Sequence, residues 1–291
     1  MRLPWKKSKM GTGWLRDPED KRDRVFFAMP RTEDPPESVD LSRHVPTILD
    51  QGNTSSCVAH AFAYAIAIAE SQSHLPYDPI SRLFLYSNAR ALTGDDRRDD
   101  GTYLRSAARA LQVLGAAPES AMPFRPGRIN DRPQIDAMML AHPRRNGVYR
   151  RVMGSGLGRI HQIKRGLEAG HAITFGAEVT ARFISHTSDD VVEAPEQGEP
   201  IVGGHAMCAV GYSPDGLRIV NSWSASWGEG GFATLSWEYV GGEFCDDWWV
   251  VTGWDRLREA FNMKHAGKAD APSYAGPERR AAQDDPLGLR K

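Results

Sequence analysis

From Ser56 to about Gln72 the chain reads Cys-Val-Ala-His-Ala-Phe-Ala-Tyr-Ala-Ile-Ala-Ile-Ala-Glu after its first serine, apolar almost all round and rich in alanine. Such a segment has no polar face to turn toward water, so it predicts a helix buried on every side that the rest of the chain must surround. Ser55 or Ser56 is the expected N-cap, which sets Cys57 at the helix start. A purely structural cysteine would be expected further along such a helix. At its first turn, a thiol faces unpaired backbone N–H groups that stabilise a thiolate.

The texture of the chain changes near its middle. Helices are predicted at Ile80–Ala91, Tyr103–Leu114 and Arg159–Ala169, the last closed by Gly170. Beyond Gly170 come short apolar runs, Ala172–Val179, His205–Tyr212, Leu217–Asn221 and Gly231–Trp237, separated by Gly, Pro and Asp turns as strands are. This is an α+β chain with its helices first, and its 291 residues, 41% of them hydrophobic, suffice for a sizeable core. Residues 1–38, broken by Pro4, Pro18, Pro30, Pro35 and Pro36, read as an extended arm. The expected folded unit is 39–263, mainly helical over 39–150 and mainly β over 170–252, followed by a disordered tail at 264–291.

Composition removes several classes of function. A formal net charge of −1 supplies no field to draw in phosphate backbones or anionic lipid, so no nucleic acid partner is expected. Lys6, Lys7 and Lys9 precede no apolar leader, and no apolar run approaches a membrane span. With only Cys57, Cys208 and Cys245, the expectation is a reducing, cytoplasmic setting, with Cys208 a core residue. The spacings hold no metal motif, and no cofactor is expected. Gly154-Ser155-Gly156-Leu157-Gly158 places Arg159 where a dinucleotide loop needs its third glycine, and is read as a flexible connector. Asp95, Asp96, Asp99 and Asp100 lack the alternation of a calcium loop and are read as solvated.

The chemistry lies in two distant segments. Gln51-Gly52-Asn53-Thr54-Ser55-Ser56-Cys57 runs into the apolar helix, and Gly203-Gly204-His205 precedes Val210-Gly211-Tyr212, Asn221-Ser222-Trp223 and Trp227-Gly228-Glu229-Gly230-Gly231-Phe232. A thiol, an imidazole and an amide in that order resemble the papain-like cysteine peptidases of the C1 family. Gly13-Trp14-Leu15-Arg16-Asp17, Asp100-Gly101-Thr102-Tyr103 and Asp246-Asp247-Trp248-Trp249 are similar to bacterial-type members with a short N-terminal segment, and the likeness spans roughly residues 13 to 252. Val58 stands where the family's usual aromatic residue follows the nucleophile, and Thr54 where secreted relatives place a disulfide cysteine.

The resemblance implies a helical subdomain bearing the nucleophile, a β-rich subdomain bearing the base, and a cleft between them that accepts a peptide or protein substrate. It implies Cys57 as nucleophile with a lowered pKa, His205 as base and then acid, and Asn221 as the group that fixes the imidazole tautomer. Gln51 would donate to the oxyanion, Trp223 would shield the imidazole–amide bond, and Gly101, Thr102, Gly204 and Trp223 would line the substrate. His60, one turn beyond Cys57, is expected to be structural. The expected reaction is endopeptidase hydrolysis through an acyl-enzyme. The same triad would equally serve an acyl transferase, a specialised processing peptidase or a silent peptide-binding module. The arm is expected to brace the outside of the fold through Trp14, Phe26 and Phe27, leaving the cleft open.

Overall fold

A computed structural model describes residues 10–27, 33–74, 77–94, 97–145 and 148–252. The expected tail at 264–291, together with Asp95 and Asp96, lies outside the described residues.

The Ala-rich segment forms α1 (Cys57–Gln72), in which Cys57, Val58, Ala59, Phe62, Ile66 and Ile68 are all buried. Against it pack α2 (Arg82–Ala91) and α3 (Leu104–Val113). Ser81 caps α2 by accepting from the Phe84 N–H at 3.0 Å, so the helix starts two residues after the expected Ile80. A short α4 (Ile135–Ala141) closes this half. The expected side-chain cap on α1 is absent: the Ser56 hydroxyl lies 2.7 Å from that of Thr54 and 3.3 Å from His60 Nδ1.

The second half is an eight-stranded sheet. Its path runs β4 (Val148–Arg151), β10 (Cys245–Thr252), β5 (Ile173–Thr180), β7 (Ile201–Ser213), β8 (Gly216–Val220), β9 (Phe232–Leu235) and β6 (Val191–Val192), with β2 (Val39–Asp40) paired to β7. β10 is antiparallel to both neighbours and carries the Asp-Asp-Trp-Trp string into the centre of the molecule. Three further helices flank the sheet: α5 (Gly156–Glu168), α6 (Ala181–Ile184) and α7 (Trp237–Gly241). Gly156 and Gly158, expected in a connector, instead form the first turn of α5, while Gly170 ends it with a φ of 84°. Trp237 likewise opens α7 and does not prolong the strand before it.

Two apolar cores result. One lies under the sheet around Phe175, Trp248, Met207 and Tyr239; the other surrounds α1 and includes Trp14, Ala206 and Trp249. They meet where α1 crosses β7, which brings the helix start beside Ala206 and His205.

A candidate active site closed by the chain's own arm

β7 places His205 on the face toward α1, and the strand turns through β8 to deliver Asn221 beside it. His205 Nε2 stands 2.7 Å from Asn221 Oδ1, whose other donor is the Ser222 N–H at 2.7 Å. An amide oxygen can only accept, so Nε2 carries the proton and Nδ1 is left as the basic atom. Among the described residues Nδ1 has no hydrogen-bond partner. Trp223 covers the imidazole face to face, with ring centroids 4.1 Å apart. Cys57 lies next to this pair, with backbone hydrogen bonds from Ala206 and Val58 near its sulfur.

Gln51 enters from the loop before α1. Its Oε1 accepts from the Ser222 hydroxyl at 2.6 Å, and its Nε2 donates to the Thr54 carbonyl at 2.7 Å. One amide hydrogen then remains to point into the cleft. It donates to the carbonyl of Gly11 at 3.0 Å.

That contact corrects the expectation of an outer brace. The arm passes through the cleft: the Gly11 carbonyl also receives the Trp223 indole N–H at 3.0 Å, and Gly13 N–H donates to the Gly204 carbonyl at 2.9 Å. Thr102 N–H donates to the Gly13 carbonyl at 2.9 Å, and β1 (Trp14–Leu15) continues parallel to β3 (Thr102–Tyr103). The residues expected to line a substrate, Gly101, Thr102, Gly204 and Trp223, therefore hold the arm. The fit is tight: a Cβ on Gly13 would stand 2.0 Å from the Ser55 carbonyl oxygen. Phe26 does brace the sheet half as expected, being buried in its core, whereas Phe27 is exposed.

Burial of both groups reverses the expected electrostatics. The Cys57 thiol is pushed up to about 12, chiefly by loss of solvent, against the opposing pull of hydrogen bonds from Ala206, Gly13 and Val58. Burial also drives His205 down to about 4, with the Asn221 hydrogen bond opposing it. At neutral pH both groups are uncharged with the arm in place, so the thiolate expected from the helix start does not form in this conformation. His60 is structural, as expected: its Nδ1 lies 2.9 Å from the Ser56 carbonyl and its ring stands edge-on to Phe124.

Other residues of the site carry no motif. Asp99, expected in a solvated loop, accepts from Ser55 N–H at 2.9 Å and from the Tyr86 hydroxyl at 2.8 Å, and so fixes the turn before Cys57. The Tyr64 hydroxyl, about two helical turns beyond Cys57, joins the Leu49 N–H to the Asn221 carbonyl. Asp17 of the arm is held by Trp249 Nε1 at 2.9 Å and by the Arg105 N–H, while Arg105 also grips Asp23 at 2.8 Å. In sequence only the residue types were visible, not the pairing of Asp17 with Trp249 or of Arg105 with Asp23. Among the described residues no His, Cys, Asp and Glu cluster could hold a metal ion.

A thiol at a helix start, an imidazole on a facing strand and an amide behind it, set in a cleft between helical and β-rich halves, define a cysteine peptidase. The chain matches the papain family cysteine protease family over residues 35–244 and belongs to it. It is 33% identical over 214 residues to an uncharacterized peptidase C1-like protein of Acanthamoeba polyphaga mimivirus, covering 70% of this chain and 68% of that one. A cathepsin B-like protein of Giardia intestinalis is 27% identical over 233 residues, 73% of each chain. The crystal structure of xylellain, a cysteine protease from Xylella fastidiosa, superposes with a TM-score of 0.78 at 27% identity over 86% of this chain and 99% of the other. The protein is a thiol-dependent endopeptidase of the papain type, and its substrates are peptides or proteins.

Proposed function

We propose that Cys57 is the nucleophile, His205 the base and then the acid, Asn221 the orienting amide and Gln51 the side-chain donor of the oxyanion hole, and that the conformation described is a latent one. The observation that carries this reading is the Gln51 amide. Three of its four hydrogen-bonding positions are committed to Ser222, Thr54 and a carbonyl oxygen in the cleft, and that last carbonyl belongs to the arm.

With the arm withdrawn, a substrate carbonyl takes the place of Gly11. His205 Nδ1 removes the thiol proton, the sulfur attacks the carbonyl carbon, and the negative oxygen is met by Gln51 Nε2 and the Cys57 N–H. Collapse expels the amine, which takes the proton from His205. Water then releases the acid by the same route in reverse roles. Asn221 holds the imidazolium throughout, and Trp223 keeps water off that bond.

The arm's course along residues 10–27 and the extent of the xylellain match support placement with bacterial-type members that have a short N-terminal segment. The three free cysteines, all buried, support residence in a reducing compartment. The test is covalent labelling by a peptidyl electrophile, read by peptide mapping. Modification confined to Cys57 and lost in Cys57→Ala, together with peptide hydrolysis lost in the same variant, is expected; hydrolysis at an undiminished rate in Cys57→Ala would overturn the assignment.

A further inference from the structure

The pocket that holds Trp14 has features that bond cleavage itself does not require. Gly176 on β5 forms its floor, and a Cβ there would stand 2.0 Å from the Trp14 ring, so the missing side chain is what admits a bicyclic ring. On the opposite wall β10 slips register against β5 between Asp246 and Trp249, and Asp247 adopts a φ of 52°. That conformation is costly for a residue with a β-carbon, and bulges of this kind re-aim side chains. Here the bulge turns a fully buried carboxylate toward the indole.

The partners of that carboxylate divide in an informative way. Asp247 Oδ1 is held by Arg151 at 2.5 Å, a contact within the folded body. Asp247 Oδ2 accepts the Trp14 indole N–H at 3.0 Å and the Asp17 N–H at 2.6 Å, both from the arm. Withdrawal of the arm thus strips one oxygen of this buried carboxylate of both donors. An unmet acceptor there is costly until a ligand supplies an N–H.

We infer that Gly176 and Asp247 make this enzyme selective for peptides that present a tryptophan at the place in the cleft that Trp14 occupies, with the indole flat on Gly176 and its N–H on Asp247 Oδ2. This rests on the hydrolase reading above. The arm's own Trp14 shows the fit, since its neighbour Gly13 lies over the thiol and is paired to Gly204 and Thr102. Arg151 already meets the carboxylate's charge, so a neutral donor satisfies the pocket, and an arginine or lysine would set a second cation beside Arg151. A ring of the same size without N–H would leave Oδ2 unpaired, and sites built around a hydrogen bond reject analogues that lack it.

The test uses the full-length chain carrying Trp14→Ala, which empties the pocket, and three peptides differing only in tryptophan, 2-naphthylalanine or arginine at that position. The expected kcat/KM for tryptophan exceeds that for naphthylalanine by about tenfold or more, with arginine also below it. Adding Asp247→Ala should bring tryptophan and naphthylalanine together, and adding Gly176→Val should depress both relative to an alanine peptide. The same Trp14→Ala chain gives a second measurement, the rate at which acyloxymethylketones bearing the two rings label Cys57. Labelling or turnover that favours naphthylalanine or arginine, or treats all alike, overturns the specificity alone. Absence of labelling by every probe overturns the hydrolase reading, and the specificity with it.

Discussion

If the arm seals the thiol, loosening one anchor should expose Cys57 selectively, and Trp14→Ala is the most direct way to do so. Trp14 is 2% exposed, packed on Gly176 and bonded to Asp247 at 3.0 Å. Truncating a buried tryptophan costs about 3 to 5 kcal/mol, and its bond to a carboxylate is already part of that loss. The Gly11 and Asp17 contacts remain, so the lower figure is the one to use for arm docking. At about 1.4 kcal/mol per factor of ten, 3 kcal/mol raises the arm-open fraction roughly a hundredfold. The assay is alkylation by chloroacetamide, followed by peptide mapping of all three cysteines. Cys208 and Cys245 are both buried in the core of the sheet half, so they report general loosening. Cys57 should react about a hundredfold faster than in the unmutated chain while the other two hold steady. Equal acceleration of all three would mean that Trp14 merely supports the fold, and an unchanged Cys57 rate would mean that the arm does not guard it.

Gln51→Ala should act in two directions, because the same amide serves the cleft and holds Gly11: kcat falls by about 10²- to 10³-fold while alkylation of Cys57 without substrate speeds up. Stopped assays of peptide turnover beside mass spectrometry of the thiol check both. His205→Ala should lower kcat by about 10⁴-fold or more and Asn221→Ala by one to two orders less, since the latter disturbs only the set of the ring; equal losses in steady-state kinetics would make Asn221 indispensable to the fold. His60 is held neutral by burial, its pKa driven down to about 3. The folded state therefore resists a proton that the unfolded chain accepts near pH 6.5, so this contribution is complete above that pH and is lost as pH falls toward 3. Between pH 6.5 and 5 the loss is about 2 kcal/mol, and urea midpoints for His60→Leu should fall less over that range than those of the unmutated chain.

The local code of this chain was legible where one segment decides the outcome. An all-round apolar helix fixes its own burial, so α1 and the position of Cys57 at its start follow from residues 56–72 alone. The order of helical and strand-like runs likewise determined the α+β class. The separation of Gln51, Cys57, His205 and Asn221 could be read as a family pattern, and the structure brings those four residues to one cleft. The rest depended on contacts between segments far apart in sequence. Whether residues 10–17 lie outside the fold or through its cleft is settled by Gly13 against Ser55, Gly11 against Gln51 and Trp14 against Gly176 and Asp247, and none of these partners is near in the chain. The bulge that aims Asp247 exists only because β10 pairs with β5 out of register. The state of the thiol was the least accessible of all: the helix start is a sequence-local cue for a thiolate, but burial outweighs it and pushes the Cys57 thiol up. Sequence specifies which groups are present and their local geometry; burial is a property of everything packed around them, and it is burial that sets their charge.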